Sequence, residues 1–373
     1  MCAGRYTPFS NKGILAVKTM DAGEVAERLV FLDGWRGMAV LAVMVGHFFP
    51  VPGMDTGAFG VELFFVLSGR LMAEILFVRK QDALEFIRRR FSRVYPALLV
   101  FVLAVSIPAM MSVELMHTQR PLAELPDVIA ALTFTTNYLE FFYSRGLAFG
   151  HTWSLAVEEH SYLVLLGLAW AVRRNARAAL FFMAAAAVLC VVNGLVGSLW
   201  FGMGETEVYW RTDVRIASIL ISASICLAMR QFDLRRWMHP LFTLLAIPFA
   251  FVLFADAVPY FVKYALGTVL LAWSINALDA APKPFLALLS ARPLVYVGLI
   301  SYSLYLWQQP FFAAAGSFRD KGLIYVVALV ACAFGCAIAS YYLVERPARR
   351  MLNGISLRRN GRSAIGSPEP SAP

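Results

Sequence analysis

Apolar positions along this chain neither alternate nor fall into short stripes. They come in long runs, separated by links that hold most of the charge. Ten runs stand out, at about 29–50, 59–77, 95–113, 153–172, 178–198, 212–229, 240–256, 261–279, 294–313 and 322–344. A helix of about 20 apolar residues, with a range near 17–25, crosses a hydrocarbon core of roughly 30 Å. A membrane β-barrel would show short alternating segments instead, and none are evident. The pattern predicts an all-α fold: a polytopic membrane bundle of about ten transmembrane helices within residues 29–350.

Two stretches break the pattern. In residues 81–95, Leu84, Ile87, Phe91 and Val94 recur at helical spacing, with Arg88, Arg89, Arg90 and Arg93 elsewhere around the helix. That predicts an amphipathic helix lying on the cytoplasmic membrane surface. Residues 114–152 hold Pro121, Pro126 and Gly146, and read as a partly structured loop. Residues 1–28 are weakly polar and lack the features of a cleavable signal, so a cytoplasmic segment is expected there. Residues 351–373 turn to Gly, Ser, Pro and Arg, the composition of a disordered cytoplasmic tail.

Composition agrees with the membrane reading. Hydrophobic residues make up 60% and charged residues 15% of the chain, against about 45–50% and 25% in soluble domains. With both termini cytoplasmic, 24 of the 33 Lys and Arg residues fall on the inside and six on the opposite side. This is the bias of cytoplasmic loops, and it accounts for the net charge of +9 without a nucleic-acid partner. The five cysteines form no CxxC pair and read as small hydrophobes. No Walker loop, HExxH or GxSxG motif occurs, so no metal site is expected.

Ionisable residues inside the apolar runs carry the chemistry, because charge is costly there. Arg36 and His47 share one face of the first run, about 16 Å apart along the axis. His47 has the unperturbed pKa of a general base at neutral pH. Equally, Asp33 and Arg36 could form an interfacial ion pair, with His47 marking the outer boundary. Glu62 lies at a depth similar to His47, and Arg70 is placed four residues before Glu74, a possible partner. The adjacent Glu158 and Glu159 diverge by about 100° on a helix, so one of them is expected to face the interior. They could orient His47 or hold an acceptor hydroxyl. Trp153 would suit an aromatic belt. Arg211, Asp213 and Arg215 enter the sixth run together, as a surface cluster or an anion site. A transporter with these charges along its path is the rival reading, although no inverted repeat is visible.

The order of these motifs is similar to that of the family-3 membrane acyltransferases. Phe31-Leu32-Asp33-Gly34-Trp35-Arg36-Gly37 with His47 resembles the family's opening, and Glu345-Arg346-Pro347 its close. Between them, Gly60 to Gly69, the arginine run to Pro96, Trp153 to Tyr162 and Ser301 to Trp307 are also similar. The resemblance implies an integral-membrane enzyme moving an acyl group, acetyl by family habit, from cytoplasmic acyl-CoA to a hydroxyl. The acceptor would be a glycan, a lipid-linked sugar or a small molecule, and the membrane the bacterial cytoplasmic one. The resemblance implies His47 as the catalytic histidine, with Arg36 and the basic run (Arg88, Arg89, Arg90, Arg93) on the CoA side. Glu158 and Glu159 would then assist His47, and Glu62, Trp153 and Arg215 would be substrate contacts. Four positions depart from the family pattern: His160 stands for glutamine, Gln308 for histidine, Glu62 for aspartate and Arg70 for an aromatic residue.

Overall fold

Backbone surrounded by hydrocarbon must satisfy its own N–H and C=O groups, and a helix does so within one segment. The computed structural model describes residues 22–110, 123–143, 148–173, 175–232, 234, 238–316 and 322–363, and no strand forms among them. The helices are α1 (Ala22–Phe48), α2 (Thr56–Ala73), α3 (Ala83–Met110), α4 (Leu125–Leu132), α5 (Thr136–Tyr143) and α6 (Trp153–Ala171). They continue with α7 (Ala176–Phe201), α8 (Glu205–Trp210), α9 (Thr212–Gln231), α10 (Pro240–Leu253) and α11 (Thr268–Asn276). The last are α12 (Lys283–Leu289), α13 (Arg292–Leu299), α14 (Ser301–Gly316), α15 (Leu323–Ser340) and α16 (Arg346–Ser363). Wider π turns at Glu74–Val78, Lys263–Gly267 and Tyr341–Glu345 adjoin α2, α11 and α15.

Each expected span coincides with a helix or with consecutive helices. Among the described residues, four helices are long and apolar enough by themselves to cross a membrane. They are Ala83–Pro108, Ala176–Phe201, Thr212–Gln231 and Leu323–Gly354. The helices at the other expected spans are more polar or divided. α1, α2 and α6 carry Asp33, Arg36, Glu62, Arg70, Glu158 and Glu159, and the ninth expected run breaks at Ile300 between α13 and α14.

α7 marks the surface that meets lipid. Phe181, Phe182, Val188, Leu189, Leu199 and Trp200 all stand exposed on it. Water would penalise that face at about 25 cal/mol per Å²; hydrocarbon would not. α2 runs through the centre, buried along nearly its whole length against α1, α6, α9 and α11. Lipid tails are as apolar as leucine, so helices here are held by close approach and hydrogen bonds. At Gly69 a Cβ would overlap the Ile219 carbonyl of α9, which is why a small residue sits there. Ser222 of α9 donates to the Val66 carbonyl at 2.5 Å, and Asn276 of α11 donates to the Ser222 carbonyl at 3.1 Å. The indole of Trp35 donates to the Leu63 carbonyl at 3.0 Å, pinning α1 to α2.

Two boundaries differ from the sequence expectation. Residues 81–95 are not a separate surface helix but the first half of α3, which passes through Pro96 without ending. Proline removes one backbone donor, and α3 tolerates that single loss. Leu84, Ile87 and Phe91 face outward, whereas Arg88, Arg90 and Arg93 are half-buried and turn inward. The helix that begins at Arg346 runs on to Ser363, into the segment expected to be a disordered tail. It docks on α3: Arg88 donates to the Leu352 carbonyl at 2.5 Å, and Ser92 to Asn353 at 3.2 Å. Residues 1–21 and 364–373 lie outside the described residues, as does part of the 114–152 loop, whose described portion carries α4 and α5.

Candidate active site

Arg36 and His47 open onto two different cavities, separated by about 16 Å along α1. The cavity at Arg36 measures about 600 Å³. α1, the end of the π turn after α2, α3 and α16 supply its arginines: Arg36, Arg79, Arg88, Arg89, Arg90, Arg93 and Arg349. Most of them have a carboxylate. Arg36 pairs with Asp33 at 2.5 Å, Arg88 and Arg89 share Glu85 at 2.6 and 2.5 Å, and Arg349 lies 3.4 Å from Glu345. Arg93 has no hydrogen bond or ion pair among the described residues, and it feels the charges of Arg36, Arg90 and Arg349 on one side and of Glu345 on the other. Several half-buried guanidiniums with too few carboxylates make a site for a polyanion, and phosphate suits their forked donors.

Glu158 lines this basic cavity and Glu159 a smaller one beside Arg90, and neither lines the cavity of His47. Arg90 reaches both, at 3.0 and 2.8 Å, which overrides the expectation that one glutamate alone would point inward. A guanidinium is wide enough to bridge two carboxylates that diverge on the helix. Glu158 also accepts from Ser68 at 2.7 Å and Tyr162 at 3.2 Å, and Arg90 lies over the Tyr162 ring.

The second cavity, about 370 Å³, holds His47 with Asp55, His151, Trp153, Tyr209 and Trp210. His47 Nδ1 meets Gln308 Oε1 at 2.7 Å, and its ring stacks on Phe312 with centroids 4.4 Å apart. Gln308, not a glutamate, therefore orients the histidine. Trp153 is no belt residue: it stacks on Trp210 at 5.8 Å and leans on Tyr209 at 4.6 Å. Asp55 caps α2 by accepting from the Ala58 amide at 2.8 Å. His151, in the turn before α6, is buried, and burial pushes its pKa down to about 3, with the nearby His47 adding to the effect. Its ring is neutral.

Glu62 and Arg215 line neither of these two cavities. They form a dry ion pair at 2.5 Å, with Thr268 donating to Glu62 at 2.5 Å and the Tyr264 ring 3.9 Å from the guanidinium. Substrate contact by this pair is thus not what the geometry offers. It holds α2 to α9, while Arg211 turns away to Asp213. Arg70 donates to the Ile275 carbonyl and lies 3.9 Å from Asp279, while Glu74 engages Arg79 at 2.9 Å and Arg230 at 3.5 Å.

The two cavities meet. Among the described residues, Val61 and Tyr305 line both. Tyr305 lies inside the Ser301–Trp307 motif, and His151 directly precedes the Trp153 motif; their place in those blocks was the available signal. Tyr209 and Trp210 gave no signal beyond being aromatic. Among the described residues no three His, Cys, Asp or Glu side chains cluster as a metal site.

The acyltransferase domain profile matches residues 29–343, covering all of the elements that line both cavities except α16 and part of the final π turn. The chain belongs to the family-3 acyltransferases. Similar proteins include the O-acetyltransferase OatA of Staphylococcus aureus (strain NCTC 8325 / PS 47), 27% identical over 354 residues. That alignment covers 86% of this chain and 57% of the relative. YrhL of Bacillus subtilis (strain 168), by name a candidate peptidoglycan O-acetyltransferase, is 31% identical over 359 residues, covering 85% of this chain and 54% of the relative. The chain thus spans little more than half the length of these relatives. No solved structure matches it. The apolar helices and the family together make this acyltransferase-family chain a membrane protein.

Proposed function

We propose that this chain is an integral-membrane O-acyltransferase that moves an acyl group, acetyl first among them, from acyl-CoA to a hydroxyl acceptor. One observation carries the reading: an arginine-lined cavity and a histidine-bearing cavity share Val61 and Tyr305 in their walls inside the bundle. The relatives' names support the reaction class. The lysine and arginine distribution supports ten spans with both termini cytoplasmic in a bacterial cytoplasmic membrane. The basic cavity then faces the cytoplasm, where acyl-CoA is available.

In this reading Arg93, with Arg36, Arg88, Arg89 and Arg349 around it, receives the CoA phosphates. The pantetheine arm follows the apolar wall of Val61, Phe64 and Phe65 toward Tyr305. The acceptor enters the other cavity, where the aromatic walls of Trp153, Tyr209 and Trp210 suit a sugar or another ring-bearing acceptor. An amide oxygen only accepts, so His47 Nδ1 carries the proton and Nε2 is the nitrogen able to take one. His47 removes the hydroxyl proton as the acceptor oxygen attacks the thioester carbonyl. The C–O bond forms, the C–S bond breaks, and the proton passes to the departing thiolate. Glu158 and Glu159 hold Arg90 in place on the donor side.

The test is CoA thiol release by purified protein in liposomes, with acetyl-CoA on the basic side and solubilised peptidoglycan fragments as acceptor. Release by wild type and its loss in His47→Ala supports the reading. Equal release from both removes His47 from the chemistry.

A further inference from the structure

Tyr305 is fixed more firmly than a pocket side chain needs to be. Its phenol donates to the His151 carbonyl at 2.6 Å and meets Ser154 Oγ at 2.6 Å, so the serine donates in turn to the phenol oxygen. The Phe64 ring packs edge-on against it with centroids 6.5 Å apart, and the His151 ring lies at 5.6 Å. The hydroxyl is thus tied to the turn Gly150–Thr152 and to the first turn of α6, while the ring stands on α14. Swinging the ring aside would break both hydrogen bonds. Across from it on α2, Val61 is buried and its β-branched side chain has restricted rotamers. Both side chains stand in the walls of both cavities, where they can act as a partition between them.

We propose that Tyr305 and Val61 select the acyl group by size. The inference rests on the acyltransferase reading and adds which residues set the donor's chain length. Reacting atoms must approach to about 3–3.5 Å. With the thioester arriving from the arginine side and the hydroxyl held by His47 on the other, the carbonyl must sit at the partition. The acyl tail attached to that carbonyl has to fit among Tyr305, Val61 and Phe64. Acetyl adds one methyl there, and each further methylene meets side chains that cannot move away. A pocket of this kind separates substrates differing by one methylene by about 10- to 200-fold.

The experiment compares acetyl-, propionyl- and butyryl-CoA in the liposome assay with wild type, Val61→Ala, Tyr305→Ala and Tyr305→Phe. Wild type should use butyryl-CoA at least about tenfold less well than acetyl-CoA. Val61→Ala and Tyr305→Ala should raise the butyryl-to-acetyl ratio of kcat/KM by about tenfold or more. Tyr305→Phe keeps the ring but loses both hydrogen bonds that hold it, and should raise that ratio by less than Tyr305→Ala does. If Tyr305→Ala does not fold, Val61→Ala carries the test, since it removes only two methyl groups. A ratio unchanged in the variants that retain acetyl turnover, or a wild type indifferent to chain length, overturns the selector. Wild type releasing no thiol from any acyl-CoA overturns the acyltransferase reading itself, which is a distinct result.

Discussion

His47 Nδ1 and Gln308 Oε1 stand 2.7 Å apart and tie α1 to α14 beside the acceptor cavity. Gln308 is wholly buried, and its contact with the imidazole joins the two helices inside the bundle. One amide thereby sets the tilt of the histidine. A glutamine does this without titrating.

His47→Ala should lower kcat by about 100- to 10,000-fold, the span associated with losing a general base. Gln308→Leu should cost less, about 3- to 10-fold, from one hydrogen bond worth about 1 kcal/mol. Both losses should fall on kcat, with the KM for acyl-CoA little changed. Steady-state thiol release with varied acyl-CoA checks this, and a loss confined to KM would contradict it.

Arg93→Ala should weaken CoA binding by about 10- to 150-fold, the equivalent of a charge-assisted hydrogen bond of about 1.5–3 kcal/mol. Arg89→Ala should change it less than about threefold, because Arg89 is largely exposed and already shares Glu85. Calorimetric titration of CoA into protein in nanodiscs reads both. Added salt should erode the difference only partly, since Arg93 is half-buried.

Arg215→Ala should destabilise the folded protein by about 3–5 kcal/mol, because it strands a dry carboxylate at Glu62. Changing both residues to apolar ones of similar volume should recover much of that loss. Thermal unfolding in detergent, run as a double-mutant cycle, measures the coupling. A loss in the double variant equal to the sum of the two single losses would show that the pair is not coupled.

His151 supplies a pH signature. Its folded pKa is near 3 because burial disfavours the imidazolium, against 6.5 for the free group. Between those values the unfolded chain binds a proton that the folded chain refuses, so stability falls as pH drops from about 6.5 toward 3. His151→Phe should flatten that decline and leave neutral-pH stability much closer to wild type. Melting curves at pH 7 and pH 5 would show the contrast, and parallel declines in the two proteins would exclude it.

The helical layout was legible because charge is so costly in hydrocarbon that long apolar runs announce themselves. Arg36, Arg88, Arg89, Arg90 and Arg93 were legible as a group for the same reason. Partners were harder. Spacing along one helix suggested that Glu158 or Glu159 would reach His47, yet Arg90 on another helix claims both. Arg215 and Glu62 are 153 positions apart, so nothing local could announce their bond. Tyr305 sat in a recognised motif, but its role comes from having a cavity on each side, and that is a property of the assembled bundle. The separate surface helix at 81–95 was the part that failed, because a proline such as Pro96 reads as a break in sequence while α3 runs through it.

The partition at Tyr305 and Val61 also has an electrical consequence. Moving one elementary charge through a membrane potential involves about 2.3 kcal/mol per 100 mV. In the proposed reaction the anionic carrier stays at the arginines, and the acyl group crosses the partition as the formal equivalent of an acylium ion in exchange for the acceptor's proton. Each compartment keeps the charge it began with, so no electrical work is done per turnover. Transfer should run at the same rate in energised and de-energised vesicles, provided that both carry the same pH on each side.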